Sequence, residues 1–196
     1  MMDDHPNTEQ PVTKVFIGGS RPISRLDADV KRRIDRIIEQ RLPVLVGDAN
    51  GADKAVQEYL RSKSYDLVEV FCSGDSCRNN TGGWPMRTVP VPKSGKRKDF
   101  SFYATKDRAM ADEASVGLML WDRESVGTVM NVLRLIRHHK KVVIYVAPDH
   151  EFVDVKNESD WEQFLARCAD ELKQRIEKEA VVEQGGDRGS PHASML

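Results

Sequence analysis

Apolar residues recur along this chain with two periods, and the two alternate. Short, nearly unbroken apolar runs stand at 14–18 (KVFIG), 44–46 (VLV), 67–72 (LVEVFC), 116–121 (VGLMLW) and 142–146 (VVIYV). Such runs read as strands covered on both faces, the mark of a parallel sheet. Between them the spacing becomes helical. Val30, Ile34, Ile37 and Ile38 share one face after the capping stretch at 24–27, and Ala52, Ala55, Val56, Tyr59 and Leu60 share one after Asn50. Residues 100–114 predict a helix with Phe102, Ala109 and Met110 toward the core, and Val126, Val129, Met130, Leu133 and Ile136 mark another starting at Ser125. Trp161, Phe164, Leu165, Cys168, Leu172 and Ile176 predict one long amphipathic helix over 158–182, packed on the body or on a partner subunit. Five strands alternating with helices predict a single α/β domain over 13–182: Rossmann-like, doubly wound, mainly parallel, with helices on both faces. The ends, 1–12 and 183–196, are expected to be flexible. Residues 73–99 carry neither period, and a loop of that length is usually functional or disordered.

Composition narrows the picture slightly. The chain has 196 residues, with Lys plus Arg at 30 against 31 for Asp plus Glu. A balance so close to zero argues against a general nucleic-acid binder. Three cysteines with no secretory segment predict reduced thiols in a cytoplasmic protein. No apolar run approaches the ~20 residues a membrane span needs. Cys72 and Cys77 do not have the spacing of a zinc pair, and nothing calls for a metal or a cofactor.

Candidate chemistry gathers at strand ends, where open α/β sheets bind ligands. The first strand runs into Gly18-Gly19-Ser20-Arg21, where glycines let backbone amides approach an anion and Arg21 can grip a phosphate. The strand at 116–121 runs into Asp122-Arg123-Glu124-Ser125-Val126-Gly127-Thr128 and then a helix, whose first N–H groups suit an anion. Right-handed crossovers put both bends on one rim. Asp48 and Gly51 follow the second strand on that rim, although Asp48 and Asp53 read as helix caps more readily than as catalysts. Lys106, Asp107 and Arg108 either form a solvated face or point at the cleft. Trp84 either stacks on a base or anchors its own loop. His138 and His139 suit the carboxyl end of a helix better than a metal.

Taken together, Gly18-Gly19-Ser20-Arg21, the stretch 47–53 (GDANGAD), 106–112 (KDRAMAD), Trp121-Asp122 and Gly127-Thr128 resemble the SLOG superfamily over about 14–146. That superfamily includes the Lonely Guy phosphoribohydrolases and the DNA-processing protein A fold, and the nearest likeness is to a small bacterial and phage group. The resemblance implies a nucleotide-type cleft and a homodimer. It also exposes departures. The place of the Lonely Guy catalytic glutamate is held by Asn131, that of its arginine by Lys106, and its Pro-Gly-Gly triplet by Arg123-Glu124-Ser125. Asparagine cannot act as a base, a nucleophile or an ionic partner of an oxocarbenium-like centre.

Three functions remain open. In the first, the chain binds a nucleotide or nucleoside phosphate as a sensor or carrier: Gly19, Ser20, Gly127 and Thr128 hold phosphate, Arg21 and Lys106 add charge, and Asp122 or Asn131 meets a ribose hydroxyl or base edge. In the second, it cleaves or transfers an N-glycosidic bond with Asp122, Glu124 and Asp107 as carboxylates. In the third and weakest, the basic run 93–98 and Trp84 serve a DNA-processing accessory role.

Overall fold

The computed structural model describes residues 12–90 and 100–187; the N-terminal segment, the basic run 93–98 and the end of the tail lie outside the described residues. The elements follow in the order β1 (Val15–Gly19), α1 (Ala28–Glu39), β2 (Val44–Gly47), α2 (Ala52–Ser62), β3 (Val68–Ser73), β4 (Met86–Val89), α3 (Phe100–Glu113), β5 (Val116–Trp121), α4 (Val126–Arg137), β6 (Lys141–Val146), a 3-10 turn (Ala147–Asp149), β7 (Glu151–Val155), α5 (Glu158–Ala166) and α6 (Asp170–Asp187). They make one seven-stranded sheet in the order β4-β3-β2-β1-β5-β6-β7. All neighbours are parallel except β6 and β7. This is the α/β Rossmann-like domain that the two alternating periods predict.

Successive strand residues face opposite sides of a sheet, and here both sides are apolar. Phe16, Leu45, Phe71, Met119 and Ile144 pack with Met110 of α3, the buried stripe of α4, and Trp161, Phe164, Leu172 and Ile176. Ile17, Val44, Val46, Leu118 and Leu120 pack on the other side with Val30 and Ile34 of α1 and Val56 and Leu60 of α2. Each large side chain so buried contributes about 1.5–3 kcal/mol.

The chain leaves β1 through β2, β3 and β4 on one side, then crosses to β5 on the other. The order therefore reverses between β1 and β5. Beyond the carboxyl ends of these two strands the loops diverge and leave a crevice.

Three elements differ from the sequence expectation. β4 lies inside the stretch without period. It is a four-residue edge strand between Pro85 and Pro90, with Met86, Arg87 and Thr88 exposed, so it lacks the apolar run of a central strand. β7 is the opposite edge, and Glu151 and Asp154 interrupt its apolar residues. The single helix over 158–182 is two helices: the chain breaks at 167–169, where Cys168 N–H turns back to Leu165 O. The apolar stripe continues across the break, so sequence spacing alone does not reveal it. α6 then runs to Asp187, into the expected tail, and packs against α4 of its own chain. No helix among the described residues is long and apolar enough to cross a membrane.

The cysteine expectation also changes. Cys72 and Cys77 are joined as a disulfide, and only Cys168, buried, is free. β3 ends at Ser73, and the chain doubles back at Gly74, whose φ of 79° suits glycine. That turn brings Cys77 beside Cys72, with a Cα–Cα distance of 5.1 Å.

Candidate functional site

The two glycine bends open onto one cleft of about 620 Å³, at the switch point between β1 and β5. Gly18, Gly19, Ser20 and Arg21 line one side. Ser125, Val126, Gly127 and Thr128 line the other. Glycine is required at Gly19: a Cβ there would strike the Leu120 carbonyl and come within 2.9 Å of Ala52 Cβ. Gly51, at φ 85°, lies outside the lining; a side chain there would collide with the Arg21 backbone. It supports the bend from behind.

Asp122 organises the α4 corner. Its Oδ1 accepts the Ser20 hydroxyl at 2.9 Å, Ser125 N–H at 2.8 Å and Glu124 N–H at 3.0 Å, while Oδ2 accepts the Ser125 hydroxyl at 2.9 Å. Partial burial opposes ionisation, but these four donors outweigh it and hold the carboxyl below its ordinary value. Ser20 also accepts Asp122 N–H at 3.1 Å and lies 3.1 Å from the Thr128 hydroxyl. With the Ser20 proton given to Asp122, Thr128 is the donor of that pair. Asp122 is thus a structural clamp, and it is not part of the cleft lining. Ser125 stands at the N-cap of α4, yet its side chain makes no capping bond; its hydroxyl is turned to Asp122 instead. The first N–H groups of α4 consequently face the cleft without a side-chain cap, and an anion is stabilised at such an end. Glu124 is exposed, outside the lining.

The floor has a different character. Lys106 is 4% exposed, with Nζ 2.7 Å from Asp107 Oδ1 and 3.6 Å from Asp53 Oδ2. Burial alone would depress the Lys106 pKa; the charges of Asp107 and Asp53 reverse this and raise it, so the ammonium persists. Asp53 is 5% exposed and accepts Ala49 N–H at 3.2 Å. Burial pushes its carboxyl up to about 6 against the pull of Lys106, with the charge of Asp107 adding to the rise. Gly47 makes room for the pair, since a Cβ there would strike both Asp53 Oδ2 and Lys106 Nζ. Asn131, also buried, donates to Asp107 Oδ2 at 3.4 Å and accepts from buried Arg134, which is paired with Glu183 of α6. The floor is thereby tied to α6, which supplies Arg175, Lys178 and Glu179 to the rim.

A third wall comes from the aperiodic loop. Arg78 donates from its backbone N–H, Nε and Nη2 to the two oxygens of Asp48, at 3.0, 3.1 and 2.7 Å. These bonds overcome the burial of Asp48 and hold its carboxyl below the ordinary range. The Arg78 guanidinium lies 4.7 Å from the centre of the Tyr103 ring, and that of Arg21 lies 5.1 Å from it. Both arginines and Tyr103 line the cleft. Asp48 and the sulfurs of Cys72 and Cys77 lie within 4.8 Å of one another. With the sulfurs bonded to each other and both Asp48 oxygens occupied by Arg78, the cluster is closed to a metal ion in this state. Trp84 stands apart from the cleft: its ring is buried against the body and Nε1 donates to Tyr65 O at 2.9 Å.

Among the residues singled out from sequence, Gly18, Gly19, Ser20, Arg21, Lys106, Asp107, Ser125, Gly127, Thr128 and Asn131 line the cleft, whereas Asp48, Gly51, Trp84, Asp122 and Glu124 do not. Asp53, Arg78 and Tyr103 line it and went unselected. Gly47 at the end of a buried strand, six residues before a helix-start aspartate, was a usable signal for Asp53. Nothing in the spacing marks Arg78 or Tyr103.

No protein-family model matches this chain, and neither a curated protein nor a solved structure gives a significant match to it.

Proposed function

We propose that the chain binds a nucleotide or nucleoside phosphate in the cleft between β1 and β5. One observation carries the reading: the uncapped amino end of α4 and the Gly19–Arg21 bend line the same cleft, with the guanidinium groups of Arg21 and Arg78 at 5.1 and 4.7 Å from the centre of the Tyr103 ring. A phosphate fits such a corner, where amide hydrogens meet the Arg21 guanidinium and the positive charge of Arg78. The hydroxyls of Ser20 and Thr128 are already engaged with each other, so amides and arginines supply the grip. The resemblance to the SLOG superfamily points the same way and rests on the quoted motifs. The homodimer it implies belongs to the same proposal, and sedimentation velocity at micromolar concentration tests it. Calorimetric titration against nucleoside mono- and diphosphates, ADP-ribose and cyclic dinucleotides tests the binding itself. Saturable binding to at least one is expected, and silence across the panel at millimolar concentration refutes it.

A second reading, N-glycoside hydrolysis, draws on the floor. Asp107 and Asp53 flank Lys106 at the cleft, where a carboxylate can steady positive charge on a sugar and a neutral carboxyl can protonate a leaving base. Asp107 is kept from the sequence expectation, and Asp53 joins it in place of Asp122 and Glu124, which lie outside the cleft lining. Incubation with nucleoside monophosphates and chromatography for free base tests it. Base release that survives both Asp107→Asn and Asp53→Asn removes these roles.

A further inference from the structure

The Cys72–Cys77 disulfide sits one residue before the arginine that reaches the cleft. Cys72 is fully buried at the end of β3, while Cys77 is half-buried in the loop. Their Cα separation of 5.1 Å is within the ~4–7 Å a disulfide spans without backbone movement. Arg78 follows directly and bonds Asp48 through backbone and side chain together. Asn79 then donates to Asp48 O at 2.8 Å and to Asn50 Oδ1 at 3.0 Å. Residues 77–79 thus clip the loop onto the turn after β2, and the covalent bond is the fixed end of the clip. Between the two cysteines, Gly74 donates its N–H to Val89 O at 3.0 Å. Opening the disulfide removes the covalent tie to β3 and leaves Arg78 held by its bonds to Asp48 and by the Asn79 contacts alone.

We propose that this disulfide is a redox switch on the cleft: oxidised, it holds Arg78 against Asp48 and Tyr103 where a ligand phosphate arrives; reduced, it releases the loop and weakens anion binding. The inference rests on the nucleotide reading for its ligand. The chemistry is thiol–disulfide exchange with a dithiol. Its thiolate attacks Cys77 Sγ, the accessible sulfur; the bond between the two cysteines breaks and Cys72 leaves as a thiolate and takes a proton. The second thiolate of the dithiol then attacks the mixed disulfide, freeing Cys77 as a thiol and oxidising the dithiol to its own disulfide. Two electrons and two protons pass to the protein.

The test compares air-oxidised full-length protein, the same protein treated with dithiothreitol, and Cys77→Ser protein, which cannot close the bond. Thiols titrated in denaturant count one in the oxidised protein and three after reduction, because only Cys168 is free in the first. Hydrogen exchange follows the Arg78 backbone N–H, and calorimetry follows ADP. Exchange at Arg78 at least tenfold faster on reduction, with ADP bound about tenfold more weakly, is the expected result, the worth of one lost charge-assisted contact. Cys77→Ser protein should behave as the reduced form, and should it fail to fold, dithiothreitol on the natural chain gives the same comparison. ADP bound equally by both forms with Arg78 exchange unchanged overturns the switch and leaves the nucleotide reading intact. ADP bound by neither form, with Arg78 released on reduction, supports the switch in the loop and counts against ADP as the ligand, and the calorimetric panel then decides the nucleotide reading. Three thiols in the air-oxidised protein overturn it outright.

Discussion

Two aspartates border the cleft, and their environments drive them in opposite directions. Asp122, at the α4 corner, receives four donors and is held below its ordinary pKa. Asp53, at the floor, has one backbone donor and a lysine 3.6 Å away, and burial pushes it up to about 6. Two things separate them: Asp53 is fully buried and faces the like charge of Asp107, whereas Asp122 is only partly buried and accepts four hydrogen bonds. Asp122 is saturated and serves as architecture. Asp53 retains capacity for another partner, and a ligand hydroxyl or base edge is the kind of group that would meet it. On the proposed reading, phosphate meets the α4 corner and the polar part of a nucleoside meets the floor.

The largest effect expected is that of Lys106→Met. It leaves Asp53 and Asp107 facing each other without their cation, and removing one partner of a buried ion pair costs about 3–5 kcal/mol. Urea unfolding measures it; a loss under 1 kcal/mol would mean that the floor is wetter than its burial implies. Asp122→Ala comes next. It strips the Ser20 and Ser125 hydroxyls and two N–H groups of their acceptor, and about 2–3 kcal/mol should be lost, the scale of hydrogen bonds to a charged group. Asp122→Asn should recover part of that loss, whereas an equal loss in both variants would show that the charge alone mattered.

The pH response sharpens the contrast further. Asp53 titrates at about 6 in the folded chain against an ordinary 3.8, so between these values the folded state holds a proton the unfolded state has released. Its stabilising contribution is full below about 4 and is lost as pH rises through 6. Asp122 and Asp48, both lowered, contribute in the opposite sense: full above the ordinary carboxylate value, lost as pH falls through their depressed folded values. Asp53→Asn should therefore flatten the decline in melting temperature between pH 4 and 6 and leave the acid limb in place. An unchanged profile between 4 and 6 would remove the raised carboxyl from the account. The smallest effect is that of Glu124→Gln, exposed and outside the cleft lining. Stability should move by no more than about 0.5 kcal/mol, and ligand affinity not at all.

The contrast also separates what the sequence made legible from what it hid. Central strands β1, β2, β3, β5 and β6 are buried on both faces and announce themselves as apolar runs, so the fold and the switch point follow from them. The glycine bends follow too, because a strand that ends in Gly-Gly-Ser or leads to Gly-Thr must turn there. Edge strands β4 and β7 escaped notice because solvent on their outer side permits charged residues. Asp122 looks catalytic in a string of letters, and only its four donors mark it as a clamp. Asp53 looks like an ordinary helix-start acid, because neither its burial nor the charges of Lys106 and Asp107, more than fifty residues on, shows in the local spacing. Arg78 lies in a loop with no period, fixed by an aspartate thirty residues earlier and a ring twenty-five residues later.

The central claim is that the amino end of α4 and the Gly19–Arg21 bend together hold phosphate. Amide NMR during titration with ADP, against adenosine as a control, tests it most directly. The account predicts saturable shifts at Gly19, Gly127 and Thr128 with ADP, reached below millimolar concentration and much reduced with adenosine. Amides at these three positions that stay still through millimolar ADP would contradict it.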